Sequence, residues 1–147
     1  MGRRGFSLLE LLIVLAILAV ALSIGYASLR PLMLKARVRR AGAEVATSLQ
    51  RARSLAQREN TDTVWEVVDS DTYRLTLDTR TVERDLPEGL SFAAPSPGTR
   101  IVYSAPYGER SGAAVRIVVA GHGYQNEVRV VGVTGKVIRA SKLEVTP

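Results

Sequence analysis

Residues 11–29 carry no charge and are built almost wholly from Leu, Ile, Val and Ala. An uninterrupted helix over that run is about 28 Å long, close to the hydrocarbon thickness of a bilayer. Beyond it the pattern changes character. Val38, Ala41, Val45, Leu49, Ala52 and Leu55 or Ala56 recur at spacings of three and four, which is one apolar stripe on a helix. Lys35, Arg37, Arg39, Arg40, Glu44, Arg51, Arg53 and Arg58 fall largely off that stripe, and Asn60 before Thr61-Asp62 marks a stop. The pattern predicts one helix from about residue 6 to residue 60, apolar all round in its first half and amphipathic in its second. Two helix breakers interrupt it on paper. Gly25 weakens the helix, and Pro31 lacks a backbone donor and clashes with the preceding turn, which predicts a kink or local opening.

After residue 61 the apolar positions alternate. TVWEVV (63–68) and TYRLTL (72–77) flank Asp69-Ser70-Asp71, a hairpin signature. A connection containing Pro87-Glu88-Gly89 leads to a short strand around 90–92 and then to the breaker-rich APSPGT. Further strands are expected at 100–104, 114–120, 126–133 and 136–140, the last two around a tight Thr134-Gly135 turn. The fold class is therefore α+β: a long N-terminal helix packed on a C-terminal antiparallel β-rich domain that covers the amphipathic stripe.

Composition narrows the chemistry. The 147 residues include no cysteine, so there is no disulfide framework and no thiolate nucleophile or metal ligand. The single histidine, His122, sits between Gly121 and Gly123 in an expected inter-strand loop, where a solvated turn role fits better than a Ser–His–Asp site. Gly121-x-Gly123 lacks the third glycine and the following helix of a dinucleotide fingerprint. Asp69-Ser70-Asp71 begins like a calcium loop, but Tyr73 occupies the fifth position and the required glycine is missing. No metal, cofactor or catalytic residue is expected. The net charge of +6 permits binding to DNA, anionic lipid or an acidic partner and selects none of them.

Glu10 is the anomaly. A carboxylate at the head of an apolar run is costly in lipid and calls for a partner or a function. Gly5-Phe6-Ser7-Leu8-Leu9-Glu10, with Arg3 and Arg4 before it and the uncharged run after it, resembles the class III signal sequence of type IV pilins and type II secretion pseudopilins. The resemblance implies that prepilin peptidase cuts after Gly5 on the cytoplasmic face and methylates Phe6, while the apolar helix stays on the mature chain. It also implies that Glu10 pairs with the N-terminal amine of a neighbouring subunit during assembly. IVYSAPYGERSGAAVRIVV followed by EVRVVGVTGKVIR is similar to the C-terminal pattern of the GspH/FimT family of minor pilins and pseudopilins, with Tyr103 and Lys136 departing from its commoner residues.

On this resemblance the chain divides into a leader (1–5), a transmembrane and filament-core helix (6–30), an amphipathic half-helix (31–60) and a β-rich domain (61–147). The expected home is a bacterial inner membrane, single-pass, with the C-terminal domain periplasmic. Expected partners are other pilins or pseudopilins, prepilin peptidase and the membrane. The expected role is a minor subunit that initiates or caps a pilus or type II secretion filament. An alternative is a tip-located subunit that binds DNA or a secreted protein. Its DNA contacts would draw on Arg100, Arg110, Arg116, Arg129, Lys136, Arg139 and Lys142. A third reading, an ordinary anchored or secreted β-domain, predicts an intact N-terminus or cleavage near Ala27.

Overall fold

The computed structural model describes residues 8–139 and 144–145, the side chains of 24, 27, 28, 144 and 145 excepted. The expectations at Gly5, Phe6 and Lys142 lie outside the described residues. The chain divides into two compact units, Met1–Leu34 and Lys35–Pro147. Helix α1 (Leu8–Glu59) is continuous, and the expected break at Gly25 and Pro31 does not interrupt it. Pro31 removes one backbone hydrogen bond and crowds the preceding turn, and the bonds of neighbouring residues carry the helix on. The helix ends where the pattern put its stop. Asn60 adopts a left-handed φ of 50°, a helix-terminating conformation that asparagine tolerates, and Arg58 in the last turn faces the negative end of the helix dipole.

In the second unit the amphipathic part of α1 packs on two antiparallel sheets. One has the order β3 (Arg80–Asp85), β2 (Thr72–Leu77), β1 (Thr63–Val67), β5 (Arg100–Tyr103). The other has the order β4 (Ser91–Ala94), β6 (Val115–Gly121), β7 (Tyr124–Val130), β8 (Val137–Arg139), with β9 (Glu144–Val145) also on β7. The predicted stripe is the buried face: Val38, Ala41, Val45, Leu49, Ala52 and Ala56 are all within the core, while Leu55 is half-buried. They meet Trp65, Val67, Ile101, Tyr103, Ile117, Val119, Val128 and Val130 in one apolar cluster.

Strand periodicity supplies the other side of that cluster. Along β1, Thr63, Trp65 and Val67 point inward, and two of them also bond to the helix. Thr63 Oγ1 donates to the Ala52 carbonyl at 2.9 Å, and Trp65 Nε1 donates to Ser48 Oγ at 2.9 Å, so both polar groups enter the core satisfied. Trp65 stacks on Tyr73 at 5.5 Å and meets Phe92 edge-on at 6.2 Å, which locks sheet to sheet.

The strand expectations hold to within a few residues and both expected hairpins form, although the second closes through a Gly132–Gly135 turn, longer than the tight Thr134-Gly135 turn expected. The β1–β2 hairpin closes through Val68 and Asp69 N–H bonds to the Thr72 carbonyl, with Asp69 Oδ1 accepting from the Ser70 amide. Strand β3 was not expected. It returns from β2 through a two-residue Asp78-Thr79 turn, with Leu77 paired to Arg80 and Asp78 at φ 52°. All six of its residues are exposed, so the strand has no buried alternation to announce it.

One close approach fixes how α1 lies on the second sheet. Gly42 faces the buried Asn126, and a Cβ at Gly42 would collide with Asn126 Oδ1. Replacing Gly42 with alanine gains about 1 kcal/mol of helix propensity but overpacks this contact, a cost of about 1–3 kcal/mol. Gly42→Ala is therefore expected to lower stability in denaturant titration, and adding Asn126→Ala is expected to recover part of the loss. A stabilised Gly42→Ala chain contradicts this packing.

Candidate assembly segment

The first part of α1 has no core of its own. Leu11, Leu12, Ile13, Val14 and Leu15 are five consecutive residues, between 47% and 56% exposed. Five consecutive helical positions pass once around the axis, so the apolar surface covers every side of the helix. Leu8, Leu9, Ile17, Leu18, Val20 and Leu22 extend the same surface. The hydroxyl of Ser23 is turned back onto the Ala19 carbonyl at 2.8 Å, which removes its demand for an outside partner. Gly25 has open space where a side chain would stand, so no contact among the described residues requires glycine there.

Glu10 lies in the first turn of α1, exposed and surrounded along the helix by Leu8, Leu9, Leu11 and Leu12. A carboxylate there complements the positive end of the helix dipole. Among the described residues no helix is long and apolar enough to cross a membrane. The stretch over which every side chain is described, 8–23, makes about 24 Å of helix, against about 30 Å of hydrocarbon.

The arginines singled out for DNA are not brought together. Arg110 is a correction: it is 7% exposed, and its guanidinium donates to the Ala113 carbonyl within its own loop, so it offers nothing to a phosphate. Arg116 and Arg129 are cross-strand partners on β6 and β7, and both bond to Glu127. Their charge is thus partly neutralised in place. Arg139 pairs with Val128 in register, on the opposite side of its sheet from Arg129, and Arg100 belongs to the other sheet. Lys136 is exposed beside the β7–β8 turn.

Other candidate chemistry resolves into structure. His122 and Gly123 form the two-residue β6–β7 turn, with φ 54° and 78°, and His122 is exposed. Asp71 and Asp85 accept from the Thr72 hydroxyl, at 3.4 and 2.9 Å. Among the described residues no cluster of His, Cys, Asp or Glu could hold a metal ion.

A family model described as the prokaryotic N-terminal methylation motif matches residues 1–26. The chain carries a prepilin-type N-terminus. The matched segment takes in the basic residues before Gly5, the Gly5-Phe6 junction, Glu10 and most of the uncharged run, and it stops well before the β-rich unit. No curated protein and no solved structure matches the chain.

The Glu127 clamp makes a pH prediction. Burial alone would raise the Glu127 pKa, but the hydrogen bonds and charges of Arg116 and Arg129 outweigh it and hold the carboxyl below its ordinary 4.5. A depressed folded-state pKa contributes stability that is present above the unfolded value and is lost as pH falls through the folded one. The stability difference between the native chain and Glu127→Gln is therefore expected in full at about pH 6 and to shrink toward about pH 3. A difference that grows on acidification contradicts the clamp.

Proposed function

We propose that the chain is a minor pilin or pseudopilin of the GspH/FimT type, a subunit that helps to initiate or cap a type IV pilus or type II secretion filament. The observation that carries this reading is the methylation motif at residues 1–26, whose described part from Leu8 onward lies on a helix that is apolar on every side. In this reading prepilin peptidase cuts between Gly5 and Phe6, methylates Phe6 and leaves a cationic amine about one helical turn from Glu10. The uncharged run 11–29 holds the chain in the inner membrane before assembly, with Arg3 and Arg4 keeping the leader cytoplasmic and the β-rich unit in the periplasm.

Assembly then exchanges lipid for protein around the same helix. Apolar contacts are similar in the two surroundings, so they favour neither a particular register nor a particular neighbour. A charge is different. A carboxylate at the head of the run is disfavoured in lipid, by less than the roughly 2.5–3.5 kcal/mol of a charge at the bilayer centre, and pairing with the Phe6 amine of an adjacent subunit removes that cost at one register alone. Glu10 thus selects register while the leucines and valines supply adhesion.

DNA uptake at a filament tip is the weaker reading, because Arg110 is buried and Arg116 and Arg129 already share Glu127. The proposed work of the chain is assembly, and no catalytic step is assigned to it.

Glu10→Val tests the register role. The variant is expected to reach the membrane at the native level and to fall at least about tenfold in sheared filaments, which corresponds to about 1.4 kcal/mol of lost assembly energy. Undiminished incorporation of Glu10→Val overturns the assignment of Glu10.

A further inference from the structure

The unexpected strand β3 creates a feature with no assigned use. Residues Arg80, Val82 and Arg84 stand opposite Leu77, Leu75 and Tyr73, so they share the face of the first sheet that α1 covers over β1 and β2. The helix does not reach as far as β3. A groove of about 540 Å³ is left between α1 and the β2–β3 hairpin, floored by Leu75, Leu77 and Val82, with Val82 49% exposed.

The rim of this groove is basic. Arg40, Arg51, Arg80 and Arg84 line it, against one carboxylate, Glu44, which bonds Arg40 at 3.2 Å. The two acidic residues beside Arg84 in sequence, Glu83 and Asp85, point to the other face of the sheet, where Arg74 engages Glu83 and the Thr72 hydroxyl donates to Asp85. Arg51, Arg80 and Arg84 make no ion pair with a carboxylate among the described residues. An apolar floor with three uncompensated guanidinium groups around it is complementary to apolar side chains flanked by carboxylates.

We infer that the groove is a docking site for an acidic, apolar segment of another protein subunit. The inference rests on the reading of the chain as an assembling subunit for the kind of partner, and on charge and shape for the chemistry. A small amphipathic acid fits less well. Small-molecule sites bury about 70–90% of their ligand, whereas here one wall is a strand exposed at every position. A polypeptide covers that wall and continues along it. Four of the six residues of β3 are charged, which guards an edge strand against indiscriminate strand pairing and leaves recognition to the groove side chains.

Photocrosslinking of the full-length chain in its native cells tests the site, with benzoylphenylalanine placed at Val82 and, as the assembly control, at Leu12. The expected Val82 adduct is a different protein, joined at an apolar residue that has Asp or Glu within about one helical turn on either side. Combined Arg51→Glu, Arg80→Glu and Arg84→Glu is expected to lower the Val82 yield about tenfold, through like-charge repulsion, and to leave the Leu12 adducts unchanged. A lipid adduct, a second copy of this chain, a neutral or basic segment, or a yield indifferent to charge reversal overturns the inference. So does the absence of a Val82 adduct where Leu12 yields one. Failure at both positions overturns the assembly reading together with it.

Discussion

A helix that is apolar on every side has to be taken out of water on every side, and no fold of 147 residues with an ordinary β-domain can do that from within. This requirement governs the rest of the protein. The second unit closes its own core with the stripe from Val38 to Ala56, and no described side chain of residues 8–33 belongs to that core. Lipid and a bundle of like helices are the two surroundings that satisfy such a segment. A prepilin-type methylation motif on the same residues ties the physical requirement to a pathway that uses both surroundings in succession. In the proposed assembly Glu10 sets the register, since a single carboxylate in an apolar segment distinguishes one helix register from another where leucines cannot.

The β-rich unit reads as a platform that holds the amphipathic half of α1 by specific polar contacts as well as by apolar burial. Thr63 and Trp65 bond the helix from β1, and Arg53 and Gln57 bond the carbonyls of Gly108 and Tyr107 in the loop after β5. Gly42 against Asn126, and Gly108 against Arg53 and Gln57, are places where only a missing side chain lets the backbone approach. These contacts fix the helix in rotation about its axis. Rotation in turn decides that Arg40, Arg51 and Ser48 border the β2–β3 groove, with the two arginines exposed along its rim.

Legibility in the sequence followed burial. The stripe of α1, the alternation of β1 and the Asp69-Ser70-Asp71 turn were readable because each residue's polarity reports which side faces the core. Strand β3 was not, because an edge strand exposed on both faces is under no such pressure and TRTVERD looks like a charged loop. Its one available signal was the Asp78-Thr79 pair between two runs of β-prone residues. The groove went unseen for the same reason, as it exists only once β3 is in place. Arg110 misled in the opposite direction. A charged side chain normally marks the surface, and only the fold shows that its guanidinium turns inward to the Ala113 carbonyl. The N-terminal motif was the most legible part, since Gly5, Phe6, Glu10 and the uncharged run are fixed by spacing alone. Its first residues lie outside those the structure describes.

The central claim is that this N-terminus is processed as a prepilin, and the mature terminus is its most direct test. Intact mass and terminal peptide sequencing are to be compared in cells with and without active prepilin peptidase. The account predicts a chain that begins at N-methylated Phe6 when the peptidase is active and at Met1 when it is absent. A chain that begins at Met1 despite active peptidase contradicts it, because the Phe6 amine proposed to meet Glu10 is never made, and so does a chain that begins near residue 28, because Glu10 is then lost.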